Sequence, residues 1–511
     1  MGRTLNHINI TSGGAIWIGF HGESRVRNWF NSRPMLNAFG GGGHDPDGFW
    51  VPGKGGAPGH YTSPGQGPVA KSHNDAGRFY VRNLLSADLH LGQHVRVFGQ
   101  LINADAGGWR PYFYSPIWNK DLDVQQAFVE LAGRAPDWIG GHGGFIFGRQ
   151  QFSDGPEYLI GTREVPTVPQ SWNGFRLYHF WRQVRVDAWD FVATNDMHKG
   201  NSFFKDTEMY NNRLYGFNTT IALPSRKGLG FLELFYLGFT MNGGGLDGNS
   251  SAATWMNPRL GSQRIPGSTA RNDFGFRWHG TYGGLLYSVG GIYQTGTFHE
   301  THKSPAQLNG MMGYGPGGWN RRGFDNGYVS AVAGRRRAVE AFSVNTTLAW
   351  RFTGKMASTL GVQADIYSGG GGNRRQGTIN TYIAPNISLG PNPMYLDPTA
   401  SLNGANLIGV QPFYRFNAIP GRLSFKIAGS VFWRYSTHDG LYAYLMSGLH
   451  TLRPWHGHYM GFVPRVEATA TLCPNVTWNG FLARWMTGHQ LSRHGGASST
   501  TAAQSNFFFH F

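Results

Sequence analysis

The sequence predicts an all-β fold: a single transmembrane antiparallel up-and-down β-barrel of about 18 strands, with long loops at one end and short turns at the other. Three observations predict it. Alternation of apolar and polar residues at period two recurs along the chain, and helical periodicity is nearly absent. The connections between alternating segments are long and short by turns. Mean hydropathy is slightly negative, and the 511 residues hold no apolar run of about 18 residues that a spanning helix needs. A barrel needs no such run, because only half of each strand touches lipid.

The alternation places strands at 14–21, 78–91, 93–104, 121–131, 142–152, 171–180, 183–195, 210–222, 229–241, 271–282, 284–296, 338–352, 355–368, 404–415, 421–435, 459–473, 475–488 and 503–511. The long connections are 22–77, 105–120, 153–170, 196–209, 242–270, 297–337, 369–403, 436–458 and 489–502, rich in Gly, Pro, Asn or His. Tight turns lie between them, as at Gly92, Gly283, Pro420-Gly421 and Pro474. A soluble sandwich has no reason to segregate its loops in this way, whereas a spanning barrel does. The chain therefore reads as one barrel domain over 1–511, with 22–77, 297–337 and 369–403 as its longest loops. The Gly/Pro-rich run from Phe39 to Pro68 belongs to a loop and is given no phosphate-binding role.

Two faces can be sorted within many strands. Val95, Val97, Gly99 and Leu101 alternate with His94, Arg96, Phe98 and Gln100. Phe342, Val344, Thr346, Leu348 and Trp350 alternate with Ser343, Asn345 and Arg351, and Phe276, Trp278 and Tyr282 with Arg277, His279 and Thr281. The apolar set is expected to face lipid, because a charge at mid-bilayer on a barrel's outer face costs roughly 2–4 kcal/mol. Trp433 and Trp485, near strand ends, fit interfacial girdles. Two segments resist sorting. Both faces of 229–241 are apolar apart from Glu233, and in 183–195 the lipid set Val184, Val186 and Ala188 runs into Asp190, which calls for a bulge or an early exit from the hydrocarbon.

The last strand ends Phe507-Phe508-Phe509-His510-Phe511, which resembles the terminal strand of bacterial outer-membrane barrels. Met1-Gly2-Arg3 is followed by polar residues rather than a secretory signal, so the reading is of a mature chain with a replacement methionine, located in the bacterial outer membrane with both termini periplasmic.

Charge points to the ligand. The formal net charge is +16, and 35 of the 44 basic residues are Arg. A guanidinium pairs with carboxylates in bidentate fashion, so the excess suits an anionic ligand, although base composition of the gene also explains it. Nucleic acid is a weaker candidate, since no helical basic region or binding module appears. The lumen-facing charges are Arg96, Arg149, Arg185, Arg277, Arg351, Lys426, Arg434 and Arg465, against Glu130, Asp187, Asp365 and Glu467. A pore of this sign attracts anions, and the acidic members keep binding weak enough to release. No cofactor or metal is called for. His44 beside Asp45 and Asp47, and His456 near His458, fall in loops without ligand spacing. Arg335-Arg336-Arg337 reads as a charge run in a loop, able to meet lipopolysaccharide phosphates, and Cys473 as a lone thiol near a turn.

Several short motifs occur in order. They are Phe147-Gly148-Arg149-Gln150, then 159–166 (Leu-Ile-Gly-Thr-Arg-Glu-Val-Pro), then Ser171-Trp172-Asn173-Gly174-Phe175-Arg176-Leu177. His94 to Leu101, Asn406-Leu407-Ile408-Gly409 and Phe432-Trp433-Arg434-Tyr435-Ser436 add to them. Together they resemble the alginate export family over about residues 80–440 and the terminal strand. The resemblance implies a monomeric barrel that passes an anionic, alginate-like polysaccharide through the outer membrane, behind an inner-membrane synthase and a periplasmic scaffold. It carries Arg149 and Arg163 over as pore contacts, with Arg96 and Arg434 after them. The turn at Cys473-Pro474 is shorter than the periplasmic segment that plugs some alginate exporters. A folded-in extracellular loop, with 22–77 as the candidate, is expected to restrict the pore instead. Two other classes stay open: an anion-selective diffusion porin for small solutes, and an outer-membrane lipid hydrolase with a Ser–His pair at a lipid-facing rim.

Overall fold

Eighteen antiparallel strands close on themselves. The computed structural model describes residues 7–11, 13–32, 76–109, 119–154, 159–162, 167–195, 203–242, 255–257, 263–265, 267–300, 336–370, 378–384, 396–399, 402, 404–437, 439, 457–495 and 499–511. The barrel strands are β1 (Ile16–Asn31), β2 (Ala76–Leu91), β3 (Val95–Trp109), β4 (Lys120–Arg134), β5 (His142–Gln150) and β6 (Trp172–Phe180). Next come β7 (Val184–Asn195), β8 (Thr207–Ser225), β9 (Gly228–Asn242), β10 (Gly267–Tyr282), β11 (Leu285–Glu300) and β12 (Arg336–Arg351). The last six are β13 (Thr359–Tyr367), β14 (Leu407–Ile419), β15 (Leu423–Arg434), β16 (Tyr459–Cys473), β17 (Val476–Thr487) and β18 (Thr500–His510). A short helix, α1 (His489–Gly495), interrupts the connection between the last two.

Each strand pairs with its sequence neighbour, and β18 returns to β1 in the register Glu23↔His510 to Asn31↔Ala502. Closure removes the free sheet edge that lipid cannot hydrate. At the seam Phe511 and Gly22 exchange backbone hydrogen bonds at 2.9 and 3.1 Å. The terminal strand stops there, and Ile8–Asn9 continues the pairing opposite Ile18 and Trp17. The tight turns fall where the sequence places them. Gly92 and Gly283 take φ of 70° and 58°, a left-handed conformation that costs glycine nothing.

The alternation sorts as expected. Phe274, Phe276 and Trp278 of β10, Val344, Leu348 and Trp350 of β12, and Val97 of β3 are exposed on the outer face, while Arg96, Arg277 and Asn345 point inward. Towards the long-connection end the outer face turns polar. Ser24 donates to Asn83 and Asn83 to Asn103 across β1–β3, Arg213 pairs with Asp190 across β7–β8, and Tyr236 donates to Asn272 across β9–β10. Asp190 therefore marks the early exit from the apolar band, and its charge is met by Arg213.

Three readings need correction. The first strand is far longer than 14–21, so 22–31 is barrel wall rather than loop. Its outer residues Ser24 and Asn28 are as polar as its inner Glu23, Arg25 and Arg27, and the contrast that reveals a strand vanishes. Residues 33–75 lie outside the described residues. Arg336 and Arg337 open β12 instead of sitting in a loop, with Arg335 outside the described residues. Trp485 is fully buried on the inner face, stacked on Phe432 at 5.2 Å, and is no interfacial anchor.

That burial reflects how the long-connection half of the barrel is filled. Residues 368–370 and 378–384 run inside the wall. Thr378–Ile379 pairs parallel with Ala338–Val339, Arg271 donates to the Thr381 carbonyl at 2.8 Å, and Gln294 grips Ile383 through both its amide groups. Ser430 donates to the Leu396 carbonyl and Asn31 to that of Thr399. In a second connection, residues 151–154, 159–162 and 167–171 do the same, with Phe152 against Trp189 and Phe191 and Gln125 on the Pro169 carbonyl. Leu491 of α1 joins the same apolar cluster. This explains the doubly apolar β9: Phe235, Leu237, Phe239 and Met241 face inward and pack in that cluster. Among the described residues, the inward-folded parts of the connections are thus 151–154, 159–162, 167–171, 368–370, 378–384, 396–399, 402 and 404–406; the loop expected to restrict the pore, 22–77, lies outside the described residues over 33–75.

The seam generates a prediction. A Cβ on Gly22 would lie 2.0 Å from the Phe511 ring. Gly22→Val is expected to destabilise the barrel by roughly 1–3 kcal/mol, seen as a lower unfolding temperature in heat-modifiable gel mobility; unchanged mobility would mean that the seam tolerates the ring's displacement.

Candidate functional site

The short-turn half of the inner wall carries the accessible charges. On β2 and β3, Arg96 Nε and Nη2 donate to the two oxygens of Asp88 at 2.8 and 3.0 Å, and Nη1 donates to Glu130 of β4 at 3.2 Å. Tyr178 of β6 donates its hydroxyl to the other Glu130 oxygen at 2.5 Å. Asp187 of β7 accepts from Arg176 at 2.6 and 3.0 Å and from Arg185 at 2.6 and 3.0 Å. Five strands, β2–β4, β6 and β7, are thereby joined on the inner face, with the Arg185 guanidinium 5.9 Å from the Tyr178 ring linking the two hydrogen-bonded groups. Alternation places these groups on one face, and antiparallel register sets Arg96 opposite Glu130.

Within these pairs the cation is the exposed partner. The Arg185 side chain is 49% exposed against 4% for Asp187, and that of Arg96 33% against 13% for Asp88. The lumen meets guanidinium, with the carboxylates behind it. Such an arrangement holds the arginines extended and leaves donor groups free for an anion, since each guanidinium offers five N–H groups. On the opposite wall Arg277 lies 3.5 Å from Glu233, whose other oxygen is 3.2 Å from His279. Arg351 and Arg415 are exposed on the inner face near the short turns. The order reverses around β16, where Glu467 is 33% exposed over a fully buried Arg465 at 2.9 Å, with Lys426 beside it at 3.9 Å.

The residues read from sequence therefore separate. Arg96, Arg185, Arg277, Arg351, Lys426, Glu130, Asp187 and Glu467 lie on the inner face of the short-turn half. Arg434 and Arg465 point inward but are buried. Arg434 donates to the carbonyls of Asp439 and Gly457, and Arg465 to Gln411, so both brace the wall and its inward-folded segments. Asp365 is buried beside Tyr367. Arg163 lies outside the described residues. Arg149 is a correction: it shares a sheet face with the exposed Phe147 and pairs in register with Ala127 and Asn173, so it belongs to the outer face. Its guanidinium donates to Asn173 and to the carbonyls of Val124 and Asp206, at 2.9–3.1 Å. It ties the long-connection rim of β5 to segment 203–206.

Sequence reading missed Asp88, Arg176, Tyr178 and Arg415. Asp88 sits between Ala87 and Leu89, and Arg176 between Phe175 and Leu177, so period two alone could have found them. It also missed a buried inner-face group, Arg25, Arg27, Arg78 and Arg82 on β1–β2, in which Arg82 pairs with Glu23 at 2.6 Å and Arg27 donates to Asn506.

A model of the alginate export family matches residues 70–494. No functionally curated protein matches the chain. Among solved structures it is similar to the outer-membrane protein OpdK from Pseudomonas aeruginosa, at 10% identity and TM-score 0.50, over 96% of this chain and 98% of that one. The BenF-like porin from Pseudomonas fluorescens Pf-5 follows at 8% and 0.47, over 96% and 99%. OccAB1 of Acinetobacter baumannii stands at 9% and 0.46, over 96% of both chains. At such identities the likeness is one of fold. The family match takes in most of the chain, and the protein belongs to the alginate export family; family and fold point to the bacterial outer membrane.

Two substitutions separate lumen from rim. Asp187→Asn uncovers Arg176 and Arg185 and is expected to raise the anion-to-cation permeability ratio about 2–5-fold in reversal-potential measurements, an effect of roughly 0.4–1 kcal/mol. Arg149→Ala leaves that ratio unchanged and costs about 1–3 kcal/mol of barrel stability, because carbonyls lose their donor. The opposite pattern would exchange the two assignments.

Proposed function

We propose that this member of the alginate export family passes an anionic, alginate-like polysaccharide through the outer membrane along an arginine path, without covalent chemistry. The observation that carries the reading is the exposure order on β2–β7: guanidinium towards the lumen, carboxylate behind. A polyuronate advances by exchanging one charge-assisted contact for the next. Asp88, Glu130 and Asp187 compete for the same donors and keep each contact short-lived, as conduction requires. Arg96, Arg185, Arg277 and Arg351 form the path on this reading, with Lys426 and Glu467 tuning it. Arg163 is retained only on the family motif. The periplasmic scaffold of a synthase complex, a monomeric barrel and lipopolysaccharide around the wall follow from the same reading.

One observation favours a second reading. Residues 378–384, 396–399 and 404–406 fold against the inner wall, as suits an anion-selective diffusion porin for small solutes. Polymer blockade separates the two. In planar bilayers, uronate oligomers are expected to block the salt current. Arg96→Gln, Arg185→Gln and Arg351→Gln together should weaken blockade about 10–100-fold, since exposed ion pairs contribute up to about 1 kcal/mol each. Steady small-anion current with no oligomer blockade would favour the porin.

A further inference from the structure

Rings accompany the charges along the short-turn half of the inner wall. On β1, Trp17 stacks on His90 of β2 with centroids 3.9 Å apart and planes 9° from parallel. On β3 and β4, Phe98 and Phe128 stack at 5.1 Å, and the Arg96 guanidinium sits 5.2 and 5.5 Å from their centroids. On β6, Tyr178 and Phe180 lie nearly parallel, 7° apart at 6.4 Å, with Arg185 5.9 Å from the Tyr178 ring and His142 of β5 stacked on Phe180. Phe180 remains 43% exposed at an inward position.

None of these rings belongs to the apolar cluster that fills the long-connection half. Packing the inward-folded segments therefore gives no reason for them. Phe180 leaves ring surface in water, which small inorganic anions cannot cover. A pyranose can: it has an apolar C–H face and a rim of hydroxyls, so it fits an aromatic surface bordered by planar polar groups. Here the borders are Arg96 and Arg185, which meet carboxylates and hydroxyl oxygens, held in place from behind by Asp88, Glu130 and Asp187. Neighbouring strands are spaced about 4.8 Å apart, so the ring groups on β1, β3–β4 and β6, two strands from one to the next, stand roughly two sugar units apart along the wall.

We propose that the inner face of β1–β7 at the short-turn end is a carbohydrate-binding track, in which sugar rings stack on the Trp17, Phe98–Phe128 and Tyr178–Phe180 groups while Arg96 and Arg185 hold their carboxylates. This deepens the export reading and rests on it for the acidic substituents. The stacking contribution does not depend on charge, so the track also holds a neutral glycan, more briefly. It therefore selects chains of pyranoses over small anions.

The test is single-channel recording of the full-length protein with two probes added at the short-turn side, a mannuronate hexamer and the neutral hexamer cellohexaose. The variants are Phe180→Leu, which keeps an apolar side chain and removes the ring, and Phe180→Tyr, which keeps the ring. Heat-modifiable mobility and salt conductance identify assembled channels. In the native protein both hexamers are expected to block, the acidic one for longer. Phe180→Leu shortens both dwell times about tenfold, and Phe180→Tyr stays within about twofold of native. Trp17→Leu repeats the loss at a second ring. Native dwell times in both leucine variants would overturn the track. If only the acidic hexamer blocks and the leucine variants leave its dwell time unchanged, the track falls and the export reading stands. If only the neutral hexamer blocks, and the leucine variants shorten it, the track stands and the acidic cargo falls. Blockade by neither removes both.

Discussion

Everything in this structure depends on closing the sheet. A spanning strand in lipid has no water to satisfy its N–H and C=O groups, so β1 must find β18. The meeting of Phe511 with Gly22, continued below by Ile8–Asn9, completes that circle. Closure then fixes parity. Once one residue of each strand is known to face lipid, every second residue faces the lumen, and a polar side chain has only the interior or the rims to occupy. Arg96 and Arg149 illustrate the rule. Both are strand arginines in family-like motifs, yet one faces the lumen and the other stands on the outer face at the rim.

The interior is divided along its axis. Towards the long connections it is packed like a soluble core, with Trp485, Phe432, Phe191 and Phe239 in one cluster with Phe152, Leu159, Tyr382 and Leu396 of the inward-folded connections. Towards the short turns it stays polar and accessible. The same residue type does different work in the two halves. Arg271 and Arg434 are buried and hold loop carbonyls, so their charge is spent on structure. Arg96 and Arg185 are backed by carboxylates and keep donors for a ligand. Counting arginines therefore overstates the field that a permeating anion meets, and exposure relative to the paired carboxylate is the better guide.

Most of the fold was legible in the sequence because the code of a barrel is simple. Period two and the long–short rhythm of connections placed all eighteen strands, including β13, only nine residues long. The failures share a cause. Where the outer face is polar, as at Ser24 and Asn28, alternation carries no hydrophobic contrast, and the second half of β1 looked like loop. Where the inner face is apolar, as at Phe235 and Leu237, the partner is a segment distant in sequence, and no local pattern reveals it. The site was legible as a set of inward positions. It was not legible which of them are exposed, because that is decided by inward-folded connections and by which partner of an ion pair lies nearer the wall. Arg149 misled because its motif was informative about family and silent about face.

The central claim is that the accessible lumen presents positive charge. Its most direct measurement is the zero-current potential of the native protein in a planar bilayer under a potassium chloride gradient, with salt low enough that screening does not erase the fixed charges. A potential displaced towards the chloride equilibrium value is the predicted result. Displacement towards the potassium value, or none, would contradict it.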